Sequence, residues 1–95
     1  MSEPLDIRHL RYFLAVAEAG SFSRAADRLG ISQPSVSQQM RDLEAALRVP
    51  LFQRRHRALA LTEPGQQFYA AAAQVLTTMR SATERLRAQA EVDDA

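Results

Sequence analysis

Phe22–Arg41, FSRAADRLGISQPSVSQQMR, decides the fold. Ala25, Ala26 and Leu29 keep the spacing of one helix face. Gly30 stops that helix, because glycine takes the left-handed conformation of a helix end at little cost. Ile31 follows as an apolar plug. Ser32 is an N-cap for the next helix, and Pro34 suits its first turn, where backbone N–H groups lack partners anyway. In that second helix Val36, Met40, Leu43 and Leu47 follow a 4-3-4 spacing and fall on one side. Pro34, Gln38, Arg41 and Ala45 fall on the opposite side, with Ser37 on its shoulder. One face is made for a core. The other carries amide, hydroxyl and guanidinium groups, the kinds that read base edges in a major groove. This is the pattern of a helix-turn-helix whose second helix does the recognition. A helical hairpin with a merely solvated outer face has the same periodicity. The Ala-Ala-x-x-Leu-Gly-Ile-Ser run followed by Gln-Pro-Ser-Val favours nucleic acid.

Upstream of this stretch, Met1–Leu5 reads as a loose tail. Asp6 can cap a first helix from about Ile7 to Ala19, ended by Gly20. Its apolar face is Ile7, Leu10, Phe13, Leu14 and Ala17, suited to supporting the helix-turn-helix from behind. His9 sits beside that face as a packed or partly exposed neutral histidine. No carboxylate or second histidine stands at metal-ligand spacing from it. Ser21 or Ser23 caps the next helix, and the N-terminus of a helix also attracts phosphate.

Downstream, Val49-Pro50 interrupts the recognition helix. Leu51–Arg54 and Ala58–Leu61 are short apolar-bearing runs around Arg55-His56-Arg57, a candidate hairpin with a basic tip. The tip lacks the Gly, Asn or Asp of a usual hairpin turn. Thr62 caps a last helix from about Glu63 to Ala90. In it Phe68, Ala72, Val75, Met79, Ala82 and Leu86 repeat at 4-3-4-3-4, a heptad-type seam. Tyr69, Ala73 and Leu76 flank the seam in its first half only. The first half therefore needs two apolar neighbours, one of which the first helix can supply. A second copy of the chain best supplies the other and the cover for the far half.

Composition bounds the rest. Ninety-five residues allow one small domain. There is no cysteine, hence no disulfide framework and no thiolate metal site. No apolar run is long enough to span a membrane, and the start lacks the basic and apolar regions of a signal peptide. The expected location is the cytoplasm. The net charge is only +1, but four arginines (Arg48, Arg54, Arg55 and Arg57) and no acid lie between Ala45 and Thr62. A near-neutral chain with one local basic cluster suits a surface presented to phosphate. Two histidines far apart, no cysteine and no glycine-rich phosphate loop point away from an enzyme, and no cofactor is implied.

SFSRAADRLGISQPSVSQQMRDLEAALRVPLFQR followed by LTEPGQQF resembles the N-terminal domain of LysR-type transcriptional regulators, over nearly the whole chain. The resemblance implies a mainly α, winged helix-turn-helix fold: three helices plus a short β-hairpin wing, then a long dimerisation helix. It implies a DNA-binding domain over residues 1–61, a linker helix over 62–91 and a tail over 92–95. The function implied is sequence-specific binding of double-stranded DNA by a homodimer on a dyad-symmetric site. Gln33, Pro34, Ser35, Ser37 and Gln38 would face bases, and Arg41 either a base or phosphate. Ser21, Ser23 and Arg54 would approach phosphate, and Arg57 would enter the minor groove from the wing. Gln38 stands where the family often has arginine, so the family's guanine contact does not carry over there. Phe68, Ala72, Val75, Met79, Ala82 and Leu86 would pair antiparallel with a partner's helix. The family's effector-binding domain does not follow within this chain, and any small-molecule effector would act through it. The chain is thus expected to be a piece of a longer regulator, with a lone DNA-binding domain as the alternative. From another functional class, a protein-interaction module remains open, and neutralising Arg55–Arg57 separates the two, since a purely apolar interaction would barely notice.

Overall fold

The computed structural model describes residues 5–94; the expected N-terminal tail, Leu5 apart, and Ala95 lie outside them. The chain folds as α1 (Ile7–Ala19), α2 (Phe22–Leu29), α3 (Gln33–Leu47), β1 (Phe52–Arg55), β2 (Ala58–Leu61) and α4 (Glu63–Asp94). The helices start where the caps demand. The Asp6 carboxylate accepts the Arg8 and His9 backbone N–H groups at 2.8 and 3.2 Å. His9 Nδ1 in turn accepts the Asp6 N–H at 3.2 Å, which completes a reciprocal capping box. The sequence suggested a packed or partly exposed neutral side chain for His9; it is half-buried and also has this capping role. Ser21, not Ser23, caps α2; Ser23 lies inside its first turn. Ser32 caps α3, with Pro34 in the first turn.

The core sits where α1, α2, α3 and the start of α4 meet. Its fully buried side chains include Phe13, Val16, Val36, Met40, Leu43 and Leu51. Val16 was not on the apolar face expected for α1, and Leu5, expected in the tail, packs against this core. All four phenylalanines form one line through it. Phe22 meets Phe52 at 5.7 Å between ring centroids, Phe52 meets Phe13 at 5.4 Å, and Phe13 meets Phe68 at 5.0 Å. Tilted and edge-on rings at these separations are favourable beyond their burial. The line ties α2, the hairpin, α1 and α4 into one body.

The strands pair antiparallel, Phe52 opposite Leu61 and Arg55 opposite Ala58, one residue later in β1 than the sequence suggested. Glu44 fixes where β1 begins. Its carboxylate reaches back from α3 and accepts the Leu51 and Phe52 N–H groups at 2.7 and 3.3 Å. Thr62 joins the hairpin to α4: its N–H donates to the Leu51 carbonyl, and its hydroxyl donates to the Pro50 carbonyl and accepts the Gly65 N–H. A Cβ on Gly65 would run into the Leu51 carbonyl oxygen, so this helix can approach the strand so closely only with glycine there.

The last helix, α4, has 32 residues. At a rise of about 1.5 Å per residue it spans about 48 Å. The molecule as a whole measures 55 × 30 × 24 Å. The helix continues through Asp94, where a tail from residue 92 was expected. Among the described residues no helix is long and apolar enough to cross a membrane, and no cluster of His, Cys, Asp or Glu could hold a metal ion.

Candidate nucleic-acid interface

The exposed face of α3 is the one its periodicity marked out. Gln33, Pro34, Ser35, Gln38 and Arg41 are exposed and Ser37 is half-buried, while Val36, Met40 and Leu43 face the core. The Ser32 hydroxyl accepts the Ser35 N–H at 3.2 Å and donates to the Ser35 hydroxyl at 2.8 Å. This fixes the first turn and leaves Gln33 and Pro34 at the tip of the helix.

The hairpin turn is two residues long, and both take the left-handed conformation: His56 at φ 52° and Arg57 at φ 67°. Such a turn matches the twist of paired strands but favours Asn-Gly, because a Cβ is strained there. The chain makes the usual two-residue turn with residues that do not favour it. Strand alternation then separates the arginines. Arg54 shares the face of Phe52 and lies opposite Leu59, whereas Arg55 points to the other face.

As a result, Ser21, Ser23, Gln33, Arg54 and Arg57 line one cleft of about 280 Å³, floored by Phe22 and Leu59. The cleft takes in the N-terminal ends of α2 and α3 together with two guanidinium groups, and no acidic side chain lines it. Neither Arg54 nor Arg57 forms a salt bridge with another described residue. Helix N-termini carry positive partial charge and unpaired N–H groups, so every contribution here favours an anion such as a backbone phosphate. Pro34, Ser35, Ser37, Gln38 and Arg41 lie outside the cleft, along α3.

The heptad-type seam divides. Phe68 packs edge-on against Phe13, and Ala72 is 1% exposed in the chain's own core. Ala72 is therefore closed off from a partner, whereas Phe68 is only half-buried and also lines an open apolar groove with Leu47, Val49 and Ala71. Val75, Met79 and Leu86 remain 44%, 54% and 68% exposed. Val75, Met79 and Ala82 line an apolar groove of about 500 Å³ with Ala71 and the stems of Gln74 and Thr78. Val92 is 72% exposed as well, but six residues after Leu86 it falls off the line of the seam.

A helix-turn-helix braced by α1, flanked by a basic hairpin and followed by one long helix has known counterparts. The family described as "Bacterial regulatory helix-turn-helix protein, lysR family" matches residues 7–66. The chain belongs to the LysR family. Over 83 residues it is 48% identical to the HTH-type transcriptional regulator BudR of Raoultella terrigena, covering 87% of this chain and 29% of that protein. It is equally similar, 48% over 83 residues, to the Hca operon transcriptional activator HcaR of Escherichia coli (strain K12), covering 87% and 28%. The chain thus spans under a third of the length of these LysR-family relatives. Among solved structures it resembles CbnR_DBD in a complex with DNA, at TM-score 0.81 and 44% identity, covering 90% of this chain and 99% of that one. It also resembles BenM_DBD in complex with catB site 1 DNA, at TM-score 0.78 and 42% identity, covering 87% and 96%. The shared architecture is the winged helix-turn-helix with its long C-terminal helix.

Two residues of consequence had no distinct role in the sequence. Glu44 was visible only as part of a Leu-Glu-x-x-Leu run, with nothing to show that it holds the hairpin. Asp42 follows Arg41 as an ordinary exposed acid, and its partner on the exposed face, Gln38, emerges only from the side-chain geometry.

Proposed function

We propose that this chain is the DNA-binding part of a LysR-type transcriptional regulator and reads a dyad-symmetric double-stranded site as a homodimer. The observation that carries the reading is the acid-free cleft between the wing and the two helix N-termini, set beside a polar, exposed α3 face. A duplex laid over α3 meets Gln33, Pro34, Ser35, Ser37, Gln38 and Arg41 in its major groove. Its backbone falls on Ser21, Ser23 and Arg54, and Arg57 reaches the adjoining minor groove, whose negative potential suits arginine. The DNA-binding unit is residues 1–61 and the linker helix begins at 62. Two copies joined through Val75, Met79, Ala82 and Leu86 would present two recognition helices to successive major grooves, about 34 Å apart. The role is one of binding rather than catalysis, exercised in the bacterial cytoplasm, and any effector acts through sequence outside this chain. CbnR_DBD and BenM_DBD, each over 40% identical to this chain, form complexes with DNA, which supports DNA binding by this chain.

The test is selection from a random duplex library with the purified chain at near-physiological salt. An enriched motif with twofold symmetry supports the reading and gives the half-site. Retention with no motif means a charge-driven binder. No retention by folded protein refutes the reading in favour of a protein-docking role.

A further inference from the structure

Three side chains on the exposed face of α3 form one hydrogen-bonded row. Arg41 Nη2 donates to Gln38 Oε1 at 3.0 Å, and Gln38 Nε2 donates to Asp42 Oδ1 at 2.8 Å. Residues three and four apart are neighbours on a helix, so the row follows the helix surface. A guanidinium only donates and a carboxylate only accepts. The chemistry of the partners therefore fixes which end of the Gln38 amide points toward which neighbour. An amide has two donor hydrogens and two acceptor lone pairs. The row engages one of each and leaves one of each free. One donor beside one acceptor is the complement of the adenine major-groove edge, where N7 accepts and N6 donates.

We infer that Asp42 is a positioning residue for base selection: by holding the Gln38 amide in one orientation it sets an adenine preference at the base pair Gln38 faces. The inference rests on the reading of α3 as a groove reader. It does not come from the family pattern, since Gln38 stands where arginine is frequent. Without Asp42 the glutamine samples several rotamers and both amide orientations, and Arg41 loses the acceptor that the fixed amide offers it. The position of Asp42 is otherwise unfavourable for a DNA binder, because a carboxylate beside the groove repels phosphate. Its removal should therefore move two quantities in opposite directions: base preference falls while affinity for unrelated duplex rises. A purely structural role predicts neither, and an exposed pair of this kind contributes little to helix stability.

The experiment compares the parent chain with Asp42→Ala, Asp42→Asn and Gln38→Ala by selection from random duplexes at one salt concentration, with melting temperatures measured alongside. The parent should enrich adenine at one position of each half-site, and Gln38→Ala should abolish that enrichment. Asp42→Ala leaves the amide in place but unfixed and should reduce it about three-fold, less than the loss of a whole bidentate contact. The rest of the motif and the melting point should stay unchanged. Asp42→Asn keeps an acceptor oxygen and should recover most of the preference. The inference is overturned if Asp42→Ala leaves the Gln38-dependent position unchanged, or if that position is not adenine. It is also overturned if all positions weaken together with a falling melting point. A parent chain that enriches no motif overturns the groove reading itself, and with it this inference.

Discussion

Glu44 offers the sharpest test of how the wing is held. Its half-buried carboxylate accepts the N–H groups of Leu51 and Phe52, and Leu51 is 1% exposed. Replacing Glu44 with alanine removes the acceptor and strands at least the Leu51 donor in a place water barely reaches. Hydrogen bonds to a charged partner contribute about 1.5–3 kcal/mol, and a buried donor left unpaired costs a similar amount. The shorter bond, to the Leu51 N–H, should dominate, and the longer one to Phe52 should add little. Alanine recovers a few tenths of a kcal/mol through its better helix propensity. The net loss is about 2–2.5 kcal/mol, which for a domain of this size lowers the melting temperature by roughly 8–20 °C. Glu44→Gln keeps a neutral acceptor oxygen and should lose about half as much. Thermal unfolding followed by far-ultraviolet circular dichroism, at one fixed protein concentration because dimerisation would shift the midpoint, measures both variants. If Glu44→Ala melts within about 2 °C of the parent, the strand start does not depend on this carboxylate and the reasoning fails.

Other perturbations separate the roles assigned above. Gln33→Ala should cost about 1–3 kcal/mol at one position of the site and relax preference there, whereas Arg54→Ala should weaken every duplex alike and make the salt dependence shallower. Quantitative mobility-shift titrations on matched and altered duplexes at several salt concentrations distinguish the two; a uniform loss for Gln33→Ala would place that residue on the backbone. Met79→Glu puts a charge into the exposed apolar groove of α4 and should turn a dimer into a monomer in sedimentation velocity, with little change in melting temperature. Arg57→Asn relieves a strained left-handed position and should stabilise the fold by up to about 1 kcal/mol while reducing DNA affinity, so the two readouts should move in opposite senses. The Asp6 carboxyl is held below its ordinary value of 3.8, chiefly by the hydrogen bond from the His9 backbone N–H. Its folded value lies below its unfolded one, so its stabilising effect is complete above the ordinary value and fades as pH falls through the lowered one. Melting curves between pH 6 and pH 2, set beside Asp6→Asn, should show the parent's advantage shrinking only in acid; an advantage that persists unchanged at the acid end contradicts the assignment.

What was legible in the sequence was local. Asp6, Ser32 and Thr62 cap their helices because capping involves residues two or three places apart, and the exposed polar face of α3 follows from periodicity alone. The wing was harder. His56 and Arg57 occupy left-handed positions that their own preferences oppose, so their identity gives no signal of the turn. The pairing of β1 with β2 and the aromatic contacts of Phe52 impose that geometry from outside. The seam on α4 shows a different limit. Spacing marks Phe68 through Leu86 as one apolar stripe, but spacing does not say what covers each member. Only the placement of α1 shows that Ala72 is already taken and Phe68 partly so. Gly65 shows a third: no backbone angle demands it, and its necessity lies in how close the Leu51 carbonyl comes.

The residues that hold the interface and those that would read DNA are two nearly separate sets. Phe22 follows Ser21, Phe52 lies on the same strand face as Arg54, and the two rings touch, so this aromatic contact helps hold the α2 N-terminus against the wing strand. The side chains on the cleft and the α3 face are mostly exposed and contribute little to the core, so substituting them should leave the domain folded. The row of Arg41, Gln38 and Asp42 is the exception that explains how a reading face can still be specific. Exposed side chains are not positioned by packing, and a long glutamine has many conformers. Hydrogen bonds along the helix surface supply the order that burial supplies elsewhere. On that account, substitutions at Asp42 should change which sequences are chosen and substitutions at Phe52 should change whether any are bound, even though neither residue need touch a base.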